Sequence, residues 1–407
     1  MSSDMQPTLD DERVDPGERL TGEESLRDRL IMAVTGPNVT VTILAFVMAF
    51  VVGAVLIAFS DEASREALGY VTSRPSDFFT AAWDAITGAY GALISGALGS
   101  GTGITESLLA ATPLILAGLA VALPFRAGLF NIGGEGQVIA GGMFAAYVGF
   151  NFPGLPLVVH LPLAVAAGFV GGAIMGFIPG ILKVRTGAHE VIVTIMLNNI
   201  AIVLLDWTLT LPTFIGNATL SPKWLPIADS ADLPTMFGSR LNIGIFMALV
   251  AAVVIHVFME RSARGFEIEA VGLNPTAATT AGMSVGRATI WALTLAGGLA
   301  GLAGSVQTLG VSDGGVTAGF SGGLGFDGIT VALLGRSRVP GTVMAGLLFG
   351  ALEVGGRAMQ AEAGINLDLV GVLQALIILF VAAPALVRWL FRLDRPSRRA
   401  KAKEVTA

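Results

Sequence analysis

The chain has 407 residues, of which 53% are hydrophobic and only 13% charged, with a formal net charge of −6. Soluble domains carry roughly 25% charged residues, so this composition excludes a freely soluble globular protein and calls for lipid over much of the surface. With no cysteine and three histidines, it also excludes disulfides, thiol nucleophiles, thiolate metal sites and a histidine metal cluster.

Residues 1–38 hold nine acids and four arginines among few large apolar residues, the composition of a disordered, water-exposed tail. They lack the basic start and short apolar core of a secretory signal. Apolar runs then follow at 39–59, 104–125, 127–151, 158–182, 189–210, 242–259, 288–311, 319–335, 340–358 and 367–390. The first is long enough to cross a hydrocarbon core of ~30 Å. The expectation is an all-α polytopic transmembrane bundle of about ten helices in the cell membrane. One membrane domain covers 39–390, with a cytoplasmic loop at 260–288 and a basic tail at 391–407. With both termini cytoplasmic, 19 of the 24 Lys and Arg residues lie inside; Arg65, Arg74, Lys223, Arg240 and Arg357 lie outside. That bias follows the positive-inside rule.

Two outer segments are long. In 76–99, Phe79, Trp83, Ile86, Tyr90 and Leu93 recur at steps of four and three, which marks one face of a helix. Ser76 is its candidate cap, just after Pro75. Such a helix either packs on the bundle at the membrane interface or offers a surface to a delivery protein. Residues 211–241, with four prolines, read as an outer loop at the mouth. In the inner loop, Asn274 suits an N-cap, Pro275 the first helical position and Gly282 the C-terminal stop. The helix between them is too short to be stable alone. Either the bundle itself or a cytoplasmic partner must hold it.

Polar groups in hydrocarbon are costly and are functional candidates by default. FNIGGEGQ (130–137) and GGLGFDG (322–328) each place a carboxylate, Glu135 or Asp327, among glycines directly before an apolar run. Gly-broken segments paired in two halves of a bundle point to discontinuous helices around a wet pathway. HEVIVTIMLNNI (189–200) adds Asn198 and Asn199. Two roles stay open for each polar residue. Asn131, Gln137, Asn198 and Asn199 either line the pathway or join helices. Glu135 and Asp327 either face solute or fix backbone amides at broken helix N-termini. GLGFDG matches a dinucleotide-binding pattern, but no βαβ unit surrounds it. No P-loop occurs, and no cofactor or nucleic acid is expected.

Four strings carry a family resemblance: ATPLILAGLAVALPFRAGLFNIGGEGQ (111–137), GAHEVIVTIMLNNIA (187–201), AVGLNPTAATTAGM (270–283) and GFDGITVALLGRSRVPGTVMAGLLFGAL (325–352). In this order they resemble permease subunits of bacterial ABC importers of the branched-chain amino acid and ribose permease superfamily, nucleoside (basic-membrane-protein-dependent) branch. The resemblance implies two cytoplasmic ATP-binding subunits, a second permease (copy or homologue) and an extracytoplasmic solute-binding protein. It implies alternating access with no covalent chemistry. Segment 270–283 matches the coupling helix, so Glu269, Gly272, Asn274, Pro275, Ala278 and Gly282 are expected at the ATPase contact. Family members often carry Arg before the Ala-Val-Gly; this chain has Glu269. Nucleosides lead as solute, ahead of simple sugars and branched-chain amino acids. An ion-coupled secondary transporter is the rival of another class, and it would need coupling acids or an ion cage in mid-membrane.

Overall fold

The computed structural model describes residues 37–216, 222–312 and 315–391. The expected acidic tail before Pro37 and basic tail after Phe391 lie outside the described residues. In chain order the helices are α1 (Pro37–Ser60), α2 (Glu62–Leu68), α3 (Pro75–Leu98), α4 (Gly101–Arg126), α5 (Gly134–Asn151), α6 (Leu157–Thr186), α7 (Glu190–Thr208) and α8 (Pro212–Ile215). There follow α9 (Gly244–Arg261), α10 (Ala263–Leu273), α11 (Pro275–Thr280), α12 (Val285–Val306), which ends in a π-helical turn (Gln307–Val311), and α13 (Leu324–Leu334). The last three are α14 (Val339–Ala363), α15 (Asp368–Ala382) and α16 (Pro384–Leu390). Extended pairing among the described residues is confined to two isolated bridges, Lys223 with Thr317 and Thr235 with Asn242.

Among the described residues, seven helices are long and apolar enough to cross a membrane: α1, α4, α6, α7, α9, α12 with its π turn, and α14. Every apolar run contains a helix, but two expectations need correction. The 319–335 run is not a crossing helix. Its helix, α13, has 11 residues and is only ~16 Å long. The 367–390 run is two helices, because Pro384 starts α16 after Ala383 breaks the pattern.

The core is organised by α4, buried without interruption from Leu109 to Pro124. A helix that is apolar on all sides belongs inside. Glycines set the packing around it. Gly346 of α14 lies on Ile115 and Gly350 on Ala111, while Gly328 of α13 lies on Ala117. A second seam joins α5, α6 and α12. There a Cβ on Gly172 would overlap the Gly297 carbonyl, and one on Gly301 would overlap the Gly168 carbonyl. Backbones approach this closely only where side chains are absent.

A smaller core joins α1, α3, α14 and α15 through Ala45, Ala49, Leu93, Val370 and Ile377. The predicted stripe on α3 is split. Leu93 is buried and the Tyr90 hydroxyl donates to the Phe50 carbonyl at 2.6 Å, whereas Phe79 and Trp83 are about two-thirds exposed. Ser76 is not the cap. Pro75 holds the first helical position, Arg74 is the N-cap residue without a side-chain cap bond, and the Ser76 hydroxyl points to Asp77.

Gly301→Val should therefore lower thermal stability in detergent by at least the 1–3 kcal/mol typical of overpacking. Gly371→Ala, where an added Cβ meets open space, should be neutral or stabilising by up to ~1 kcal/mol. Parallel melting curves of the two variants check the contrast.

Candidate functional site

The two glycine motifs meet. A Cβ on Gly134 at the start of α5 would lie 2.9 Å from the Gly325 carbonyl oxygen, and one on Gly325 would overlap the Glu135 amide nitrogen. Gly322 and Gly323 enter α13 with φ of 57° and 85°, a left-handed turn that side chains disfavour. Two helix N-termini thus face each other, each with unpaired N–H groups and a positive dipole end. Glu135 answers both. Its carboxylate accepts from the Ser321 hydroxyl at 2.5 Å and from the Gly325 amide at 2.8 Å.

Three amide side chains complete the break before α5. Asn198, from the middle of α7, accepts from the Gly136 amide and donates to the Ile132 carbonyl, both at 2.8 Å. Asn131 accepts from the Gly133 amide and donates to Gln137 Oε1, both at 3.0 Å. Asn131, Glu135, Gln137 and Asn198 are all buried. Among the described residues, no buried polar side-chain atom lacks a partner. Asn199 is placed elsewhere. It donates to the Ile195 carbonyl at 3.1 Å and lies on the outer apolar face of α7 with Ile200, Val203 and Trp207.

The approach to α13 from the preceding span is re-entrant. Val316 pairs with Trp224 of the 222–243 loop, Phe320 packs on Gly142, and Ser321 reaches Glu135. Along α5, the drop from Gly142 to Glu135 is roughly 10 Å. Gly328 resting on Ala117 sets the first turns of α13 in the interior of the span.

Beside this junction is a cavity of about 240 Å³. Among the described residues, Glu106, Arg240, Gln307, Ser321, Asp327, Glu353 and Arg357 supply its polar lining. Arg240 lies 3.7 Å from Glu106 and Arg357 lies 3.9 Å from Glu353. Ion pairs this long are weak, and Arg240 also donates to the Val311 carbonyl at 3.3 Å. Of the residues expected at the site, only Asp327 lines this cavity.

The opposite end of α4 carries a tighter cluster. The Arg126 guanidinium donates to Glu260 at 3.1 Å and to Glu269 at 2.8 Å. At 1.5 Å per residue, Glu106 and Arg126 are roughly 30 Å apart along α4, the thickness of a hydrocarbon core. Glu269 is thus bound within the chain. Gly272 packs its backbone on Arg126 and Ala127, and Gly128 (φ 69°) faces Gly272. Asn274 caps α11, accepting from the Ala277 amide at 3.0 Å; Pro275 is the first helical residue and Gly282 (φ 84°) follows the end. Glu267 closes the loop by accepting from the Ser284 amide at 2.9 Å. Ala278 is the one buried residue of α11, and Leu273, just before it, is 83% exposed. From Gly128 the chain leads through Leu129–Gly133 straight into the α5 junction.

Sequence reasoning missed Ser321, Leu273 and the charged lining of the cavity. A large apolar side chain in an otherwise polar loop was the available signal for Leu273. For Arg357 it was the charge four residues after Glu353 within an apolar helix. Nothing in the sequence linked Ser321 to Glu135, because 186 residues separate them.

Removing either partner of the Glu135–Ser321 bond should destabilise the junction. A double-mutant cycle of Glu135→Gln and Ser321→Ala, read from melting in detergent, should give a coupling of roughly 1.5–3 kcal/mol, as expected of a charged hydrogen bond.

Residues 103–382 match the family described as branched-chain amino acid transport system, permease component. A guanosine ABC transporter permease protein of Bacillus subtilis is 42% identical over 75% of this chain and 88% of its own length. A nucleoside ABC transporter permease protein of Lactococcus lactis is 38% identical over 78% of this chain and 88% of its own. A glucose ABC transporter permease protein of Haloferax volcanii is 38% identical over 72% of this chain and 79% of its own. No solved structure matches.

Proposed function

Because the chain belongs to the family of branched-chain amino acid transport system permease components, we propose that it forms the nucleoside pathway of an ATP-driven importer. It is a multi-pass membrane protein and a transport subunit, not an enzyme. Nucleosides are favoured because the guanosine and nucleoside permease proteins are 42% and 38% identical to it. The glucose permease protein at 38% keeps a simple sugar as the second reading.

The observation that carries the coupling role is α11. It is capped at both ends and almost fully exposed, so it presents a formed but uncovered handle. The partner is one of two cytoplasmic ATP-binding subunits. A second permease, copy or homologue, and an extracytoplasmic solute-binding protein complete the complex in the cell membrane. In this arrangement both termini and the 260–288 loop are cytoplasmic, residues 1–38 and 391–407 are the inner tails, and the charged cavity faces outward.

The mechanism follows from what α10 and α11 touch. When the ATPases close, the handle moves with them. Glu269 and Glu260 hold Arg126, and Gly272 bears on residues 126–128, so the displacement passes into α4 and the segment entering α5. At the junction Glu135 ties that movement to α13. A shift at the cytoplasmic end thereby changes how the two half-helices meet, which opens one side of the bundle and closes the other. Asp327 stands on the solute's way in, while Asn131, Glu135, Gln137 and Asn198 keep the broken helices in register.

Two experiments test this. Deleting 274–281 should cut ATP-dependent guanosine uptake by the complete transporter at least tenfold, with unchanged amounts of permease in the membrane. Normal uptake by that variant, or uptake by the chain alone on a proton or sodium gradient, would overturn the reading. Arg126→Gln should leave ATP hydrolysis but reduce uptake per ATP about tenfold. Arg126→Lys, which keeps the charge but not the fork, should fall between.

A further inference from the structure

We propose that Asp327 is the subsite for the vicinal diol of the solute's sugar ring, and that the cavity around it admits neutral hydroxylated solutes over phosphorylated ones. This rests on the nucleoside-importer reading and adds to it a specific contact.

The acids around the cavity differ in what they already hold. Glu106 lies by Arg240, Glu353 by Arg357, and the Glu135 carboxylate is occupied by Ser321 and Gly325. Among the described residues, no hydrogen bond or ion pair reaches the Asp327 carboxylate, and its side chain opens into the cavity. An ionised carboxylate only accepts, through two oxygens side by side. Two adjacent hydroxyls of a sugar present two donors at a matching separation. Guanine also offers two adjacent N–H donors, so a diol contact is recognised by its loss when the hydroxyls are removed and the base is kept.

The rest of the lining fits a sugar. A space of about 240 Å³ is roughly eight times the ~30 Å³ that a water occupies in the liquid, which is room for a ring bearing hydroxyls. Gln307 both donates and accepts. Arg357, which lies 3.9 Å from Glu353, can turn its N–H groups to ring and hydroxyl oxygens. Among the described residues, three carboxylates against two guanidiniums line the wall, so an incoming phosphate meets net repulsion. A carboxylate not yet committed to any protein group also binds weakly enough, when shared with water, to release its guest. An importer requires that.

The test is uptake by cells that carry the complete transporter and lack other nucleoside uptake. Guanosine is compared with 2′,3′-dideoxyguanosine and with guanosine 5′-monophosphate, at equal permease levels in the membrane. The unaltered transporter should favour guanosine over the dideoxy analogue about tenfold or more, the smallest effect expected of a hydrogen bond to a charged group. Asp327→Asn should bring that ratio below threefold, chiefly by slowing guanosine, and Asp327→Glu should restore part of it. Glu106→Gln with Glu353→Gln should raise uptake of the monophosphate relative to guanosine. An unchanged guanosine-to-dideoxy ratio in Asp327→Asn, or equal loss of both substrates, overturns the subsite. If the unaltered transporter takes up no nucleoside, the nucleoside reading fails instead. The subsite is then judged on the same variants with glucose and 2-deoxyglucose, where a ratio insensitive to Asp327 again sinks it.

Discussion

Two helix N-termini pressed together inside a membrane would repel, and the Glu135 carboxylate is what lets them meet. Each brings about half a positive charge and several unpaired amides, in surroundings with little water to screen them. One side chain, rooted in the first turn of α5, takes the hydroxyl of Ser321 and the amide of Gly325 from the other half of the chain. The glycines are the complementary requirement. With a side chain at 134 or 325 the two backbones could not come close enough for that carboxylate to span them. Asn131 and Asn198 then satisfy the amides that Glu135 does not reach.

The remainder of the bundle gives this junction something firm to work against. The glycine seam between α5, α6 and α12 and the α4–α14 crossing are close-packed, backbone to backbone, and such interfaces rotate as blocks in preference to deforming. Charge is distributed in keeping with that. At one end of α4 a single guanidinium is gripped by two carboxylates at 3.1 and 2.8 Å. At the other, the pairs are long and open to water. A tight cluster transmits a displacement, and a loose one can give way to a passing solute.

Legibility varied with the range of the interaction. The α11 signals, Asn274, Pro275 and Gly282, act over a few residues, and each takes its expected place. The pairing of Gly-rich motifs was legible as two broken helices, but not that the two breaks meet each other. Of the polar residues singled out, four gather at the α5 break, Asp327 lines the cavity, and Asn199 faces away on α7. Neighbouring positions on a helix differ by a rotation of about 100°, and hydropathy in a lipid-facing helix leaves that rotation undetermined. The same blindness made 319–335 look like one crossing helix, since an apolar stretch reads alike whether helical throughout or half re-entrant.

By itself, then, the order of residues determined that this chain lies in a bilayer as a helical bundle, where its helices break and where its short handle begins and ends. Composition, run length and capping residues decide these matters locally. Only the tertiary structure decided that Glu135 serves the other half of the chain, that Glu269 faces inward to Arg126, and that the Asp327 carboxylate meets no partner among the described residues. Each depends on which backbones come within hydrogen-bonding distance, and that is set by glycine-to-glycine packing between segments far apart in the chain.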